Sequence, residues 1–86
     1  LSQNNLKKIR KTLFVNSTKI ENLDLSFNDL TDIEPNSFQD FVTTLNILYL
    51  KKNKFIKIKR HFFSNLSKLI LLDLSANQIS SIDSSS

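Results

Sequence analysis

The 86-residue chain contains no cysteine and no glycine, and it has a single histidine and a single proline. Without cysteine it can build no disulfide, no iron–sulfur cluster and no thiolate zinc site. Without glycine it lacks the residue that phosphate-cradling loops and type I′ hairpins require. One histidine leaves little for general acid–base, nucleophilic or metal chemistry, which want several clustered groups. The composition therefore argues against an enzyme and implies no cofactor and no metal. No apolar run approaches the ~18 residues of a membrane span, and no signal-peptide pattern opens the chain. What remains is ordinary: 40% apolar and 23% charged residues, enough for one small domain and too apolar for a disordered tail.

Against that background one feature orders most of the chain. Leu25-Ser26-Phe27-Asn28 is echoed by Leu50-Lys51-Lys52-Asn53, by Leu74-Ser75-Ala76-Asn77 and by Leu1-Ser2-Gln3-Asn4. The four Asn stand at 4, 28, 53 and 77, with differences of 24, 25 and 24. Apolar residues recur in phase with them. One unit reads Ile20, Leu23, Leu25, Asn28, Leu30, Ile33, Phe38, Phe41. The next reads Leu45, Leu48, Leu50, Asn53, Phe55, Ile58, Phe63, Leu66, and the third runs from Leu69 to Ile82 before it stops. A period in this range signals a repeat architecture.

Leu-x-Leu alternation describes a short strand with one buried face. Strands repeated at fixed spacing stack in parallel, ~4.8 Å apart, because no single unit can bury its own apolar stripe. Where the chain leaves each strand, inward-facing backbone groups lose their partners, at a cost in free energy. An Asn amide carries both donor and acceptor. Asn4, Asn28, Asn53 and Asn77 are thus expected to form a ladder that closes these turns. Phe14, Phe38 and Phe63 recur as a second row, read as packing on the far side of the coil. In the first unit Ser17 stands where Phe41 and Leu66 stand later.

The pattern L-x-x-L-x-L-x-x-N-x-L resembles the leucine-rich repeat family. Repeat lengths of 24–25 residues, with a Phe five residues after Ile33, resemble the typical subclass of animal extracellular receptors, of which Toll-like receptor ectodomains are the prominent example. The resemblance covers the chain up to the Ser84-Ser85-Ser86 tail. It implies an α/β-type leucine-rich-repeat solenoid bent into a horseshoe arc, with short parallel strands on the concave face and mostly loops and short helical turns on the convex face. The expected division is repeats over 1–83 (partial 1–19, full 20–44 and 45–68, partial 69–83) and a Ser tail at 84–86. Both ends cut through the pattern and no Cys-rich cap is present, which predicts a fragment of a longer protein. Such a fragment is expected to be marginally soluble or self-associating on its own.

The stretch Lys51 to His61 holds six basic residues and the only His, and the net charge is +4 with a pI near 9.6. Alone it suggests a polyanion site. One unit back, however, residues 20–44 carry six acids and no Lys or Arg. Alignment sets Asp29 against Lys54, Asp32 against Lys57 and Glu34 against Lys59. Arg10, Glu34, Lys59 and Asp83 form one row, and Lys8, Asp32 and Lys57 another. Such pairs contribute ~0.2–1 kcal/mol each when exposed and favour the correct register. Lys51 and Lys52, opposite Ser26 and Phe27, escape this neutralisation and tilt the reading towards an anionic ligand. Nucleic acid is the less favoured anion. His61 reads as a solvated residue.

The outward strand positions are the candidate ligand- or partner-binding surface: Asn22, Asp24, Phe27, Ile47, Tyr49, Lys51, Lys52, Leu71 and Asp73, with Ser26, Ser75 and Ala76 beside them. Exposed apolar groups among them fit a contact site. Asn16-Ser17-Thr18 and Asn65-Leu66-Ser67 match the N-glycosylation acceptor. Both follow the row Phe by two residues, so Asn16 and Asn65 would project away from the concave face. The expected function is non-catalytic recognition of a protein or microbial ligand by an extracellular or endosomal receptor ectodomain, which the resemblance implies dimerises around its ligand. An adhesion or matrix protein, and an intracellular scaffold, are the alternatives.

Overall fold

The computed structural model describes residues 5–14, 19–63 and 66–82. Asn4, Asn16, Ser17, Asn65 and Asp83 lie outside the described residues. Among the described residues the chain coils so that seven short strands fall into three parallel sheets. The principal sheet joins β2 (Asn22–Asp24), β4 (Ile47–Tyr49) and β6 (Leu71–Asp73) in that order. Its register sets Leu23 beside Leu48 and Leu48 beside Leu72. These middle residues point inward, and the flanking ones point out, as period-two alternation requires. The ladder extends past the strands: Leu25 N–H donates to Tyr49 O at 2.8 Å and Leu50 N–H to Asp73 O at 2.8 Å.

On the other flank of each coil the chain makes a two-residue strand. β1 (Lys8–Ile9) pairs with β3 (Asp32–Ile33), and β5 (Lys57–Ile58) pairs with β7 (Ser81–Ile82). These bridges add to the expected single strand row. Between β3 and β5, among the described residues, there is no strand pairing. Asp32 and Lys57 are aligned in sequence but not joined by backbone.

The core lies between the two flanks. Leu25, Leu30, Leu45, Leu48, Leu50 and Phe55 are fully buried, with Ile9, Ile33 and Ile58 closing one side. Phe14, Phe38 and Phe41 cluster with ring centroids 5.5–6.2 Å apart. In the next coil the buried ring is Phe62, 5.7 Å from Phe55, and Phe63 is only half-buried. The expected row Phe14–Phe38–Phe63 is therefore corrected to Phe14–Phe38–Phe62. Five residues separate Ile9 from Phe14 and Ile33 from Phe38, but four separate Ile58 from Phe62. The 3-10 turn Arg60–Phe63 begins two residues after Ile58, whereas Gln39–Phe41 begins six after Ile33, and the first Phe of the pair is the one that faces the core. Helical content is limited to this turn and the 3-10 turn Gln39–Phe41; no α-helix occurs among the described residues.

The Asn turns bind successive coils together. Asn28 Oδ1 accepts from Leu6 N–H, Asn53 Oδ1 from Leu30 N–H and Asn77 Oδ1 from Phe55 N–H, each at 3.1 Å. The amide nitrogens donate both locally and backwards. Asn53 Nδ2 reaches Leu50 O (3.1 Å) and Leu25 O (3.0 Å), and Asn77 Nδ2 reaches Leu74 O (3.0 Å) and Leu50 O (2.9 Å). Buried carbonyls that the strand ladder has left behind are thereby satisfied.

Candidate functional site

The outward face of the principal sheet carries two rows fixed by register. Asn22, Ile47 and Leu71 form the first; Asp24, Tyr49 and Asp73 form the second. Asn22, Asp24 and Leu71 are exposed, and Ile47, Tyr49 and Asp73 are half-buried against their neighbours. Ser26, an outward position in the sequence reading, is instead buried at 5% exposure.

The two aspartates shape the chain beyond the strands. Asp24 Oδ1 accepts from Ser26 N–H at 2.9 Å, and Asp73 Oδ1 accepts from Ser75 N–H at 3.0 Å and from Ser75 Oγ–H at 2.6 Å. These are Asx turns, in which a short carboxylate replaces a backbone acceptor. The Ser75 hydroxyl, then the Ser75 amide, hold the Asp73 carboxyl below its ordinary value of 3.8, with a smaller push from the Lys51 charge.

One residue further on, Phe27, Lys52 and Ala76 adopt left-handed backbone, with φ of 60°, 56° and 58°. Each precedes a ladder Asn, and the kink turns that Asn into the core. Glycine would take this conformation without steric cost. A side chain at φ > 0 costs ~1–2 kcal/mol, and this glycine-free chain accepts that strain at each of these three positions, with Asn5 and Asn36 also left-handed. The backbone is pinned there by further ladder bonds, Phe27 N–H to Lys51 O at 2.9 Å and Lys52 N–H to Ser75 O at 3.0 Å. Side chains 27, 52 and 76 consequently form a third row along the rim of the face. Phe27 is 43% exposed, and Lys52 Nζ lies 5.2 Å from its ring centroid. This is a cation–π contact worth ~0.5–1 kcal/mol at an exposed site. Lys51 and Lys52 are thus less free than their sequence alignment implies: one leans on Asp73 electrostatically, the other on Phe27.

The opposite flank holds the ion pairs. Asp29 meets Lys54 at 3.2 Å, Lys8 meets Asp32 at 3.7 Å and Arg10 meets Glu34 at 3.9 Å. Lys59 departs from its expected partner Glu34 and approaches Asp32 at 3.9 Å. The shortened turn after Ile58 draws Lys59 across, while Glu34 is engaged by Arg10 and by Lys11 N–H at 2.9 Å. Among the described residues Lys57 makes no ion pair.

His61 is not the solvated residue that its basic surroundings imply. It is half-buried, and its Nε2 stands 2.8 Å from Ile33 O. A carbonyl only accepts, so Nε2 carries the proton. Ser37 does the same one coil earlier, its Oγ donating to Ile9 O at 3.3 Å. Both residues immediately precede a buried Phe, and that shared position is the signal that alignment on Phe63 conceals. The shallow cavity beside His61, lined by Pro35, Ser37, Phe38, Val42, His61 and Phe62, measures about 190 Å³. It falls below the ~300–1,000 Å³ of ordinary small-molecule pockets, so the geometry favours contact through a face.

The leucine-rich repeat family model matches residues 1–42 and again 43–86. The chain belongs to the leucine-rich-repeat family. Comparison with curated protein sequences gave no significant match. Leucine-rich repeats are solenoid-type interaction modules that typically recognise proteins without catalysis, and the stacked parallel strands of this member supply the corresponding face. No helix among the described residues is long and apolar enough to cross a membrane.

Proposed function

We propose that this leucine-rich-repeat segment binds a protein partner, without catalysis, on the face of β2, β4 and β6 and along the adjoining Phe27–Lys52 rim. The observation that carries the reading is the exposure of Phe27 and Leu71, each at 43%, around half-buried Ile47 and Tyr49 on a strand face. Aromatic and apolar groups brought together on one strand face fit a contact site. In a longer stack this side is the concave one, because the loops opposite are bulkier than the strands.

The proposal extends to context. Repeats of 24–25 residues with an inward Phe, and the acceptor motifs at Asn16 and Asn65, support an ectodomain of a Toll-like or related receptor, at the cell surface or in the endosomal lumen. There a microbial or protein ligand would bridge two ectodomains. An adhesion or matrix protein with the same repeats is the second reading, favoured by the same two motifs; an intracellular scaffold is the third. Two experiments separate them. Mass spectrometry of native peptides spanning Asn16 and Asn65, with and without deglycosylation, is expected to find a glycan; bare Asn at both sites would shift the protein to the intracellular scaffold. A photo-crosslinking residue at Leu71 is expected to capture a partner that the same residue at Thr43, an exposed position in the turn after Gln39–Phe41, does not. Equal yields from both positions would remove the strand face from the proposal.

A further inference from the structure

We propose that Phe27 and Lys52 form a preorganised two-point anchor for a polypeptide segment that carries a carboxylate next to an apolar side chain. The inference rests on the protein-recognition reading above and names the chemistry that its rim selects.

Three observations meet at this pair. Phe27 holds a bulky ring on left-handed backbone, at φ 60°, where glycine or asparagine would serve the turn with less strain. The same turn is made by Ala76 one place along the row, so the backbone does not itself call for a ring at Phe27. The ring is not consumed by the core: it stands at the rim, 43% exposed. The ammonium of Lys52 lies 5.2 Å from the ring centroid and, among the described residues, makes no ion pair, whereas Lys54 is engaged by Asp29 at 3.2 Å.

The register makes the pair rigid. Phe27 N–H and Lys52 N–H both donate to the next coil, to Lys51 O and Ser75 O, so the two Cα positions cannot move independently. The third place in the row is Ala76, which leaves the side of Lys52 away from Phe27 without a large neighbour. A carboxylate approaching from there meets a cation already held in place, while an apolar side chain beside it lies on the free part of the ring. Little side-chain freedom is lost on binding, which is the usual route from a small contact to useful affinity. Among the described residues, neither acid of the face makes an ion pair with Lys52. Asp24 is bonded to Ser26 N–H, and Asp73 to Ser75. A basic or polar segment would meet Lys52 with like charge or leave the ring uncovered.

The test is selection of a phage-displayed random 12-residue peptide library on the full chain, followed by affinity measurement of the enriched peptides on variants. Enriched sequences are expected to pair Asp or Glu with an adjacent apolar residue. Phe27→Asn is expected to weaken them roughly 30-fold, the loss that marks a hot spot, while leaving the melting temperature unchanged or higher, since Asn tolerates left-handed backbone. Lys52→Glu is expected to abolish binding and Lys52→Arg to retain it. A purely structural role for Phe27 predicts the reverse for Phe27→Asn: a lower melting temperature and unchanged affinity. Peptides that enrich but bind Phe27→Asn and Lys52→Glu as well as wild type would overturn this anchor and leave the recognition reading standing. No enrichment at all would overturn both.

Discussion

The Nε2 of His61 stands over the carbonyl oxygen of Ile33 in the place that the Ser37 hydroxyl takes over the carbonyl of Ile9. Both donors reach back 28 residues, and both sit directly before a buried Phe. Where β3 and β5 fail to pair, this side chain supplies a link between the coils. The chemistry differs, hydroxyl against imidazole, but the requirement is one: a donor for an inward carbonyl.

His61→Ala should therefore destabilise the fold by ~1–3 kcal/mol, the cost of leaving a partly buried acceptor unpaired. His61→Gln, whose amide N–H₂ can reach the same carbonyl, should recover much of it. Urea unfolding of the three proteins measures this. Equal midpoints for wild type and His61→Ala would show that water replaces the imidazole without loss.

Asn53 is enclosed on both sides of the stack, bonding Leu30 N–H, Leu25 O and Leu50 O. Asn53→Ala should cost ~2–4 kcal/mol, from an unpaired buried amide plus a small cavity. Asn77→Ala should cost less, since Asn77 is only half-buried and water can reach its partners. Thermal unfolding that ranks the two variants the other way would contradict this account of the ladder.

Ala76 sits at φ 58° on an exposed turn. Replacing Ala by Gly ordinarily destabilises by ~0.5–1 kcal/mol through the entropy of the unfolded chain. Here the relief of a left-handed Cβ is larger or equal, so Ala76→Gly should be neutral or stabilising by up to ~1 kcal/mol. Ala76→Val, which adds a branched side chain at the same φ, should destabilise. Calorimetric melting temperatures of the pair give the sign directly.

The Asp73 carboxyl is held below its ordinary 3.8 by the Ser75 hydroxyl and amide. For a depressed carboxylate the stabilisation is present above the unfolded value and fades as the pH falls through the lower folded one. Carboxyl-detected NMR titration should place the Asp73 midpoint under 3.8, with the Ser75 amide shifting over the same range. Ser75→Ala should move that midpoint upward. An Asp73 midpoint indifferent to Ser75→Ala would remove the hydroxyl as its main cause.

Much of this architecture is legible in the residues, and the places where it is not share a cause. Leu23-x-Leu25 and its echoes declare strands because burial alternates with period two, and a 24-residue spacing admits no pairing but parallel. The Asn positions translate into hydrogen bonds because an inward turn has few other donors. The charge rows translate where the spacing is constant, as for Lys8–Asp32 and Asp29–Lys54. They slip where it is not. One residue fewer between Ile58 and the buried Phe moves Phe62 into the core, turns Lys59 to Asp32 and brings His61 onto Ile33. Two adjacent Phe hide that shortening from any reading by alignment. The kink at residues 27, 52 and 76 is silent in the sequence because glycine, its usual marker, is absent. The proposed contact face is legible only as outward strand positions, because side chains that meet solvent leave no periodic burial signal to name a ligand.

The oxygen of each described ladder Asn points one way along the chain. Asn28 closes the amide of Leu6, Asn53 that of Leu30, and Asn77 that of Phe55, always 22 or 23 residues upstream. A coil is thus completed by the coil made after it. On the ribosome, where ~5–20 residues emerge each second, the fold must trail synthesis by about one whole turn. For a second or more the newest amides wait for an amide oxygen that has not yet been translated.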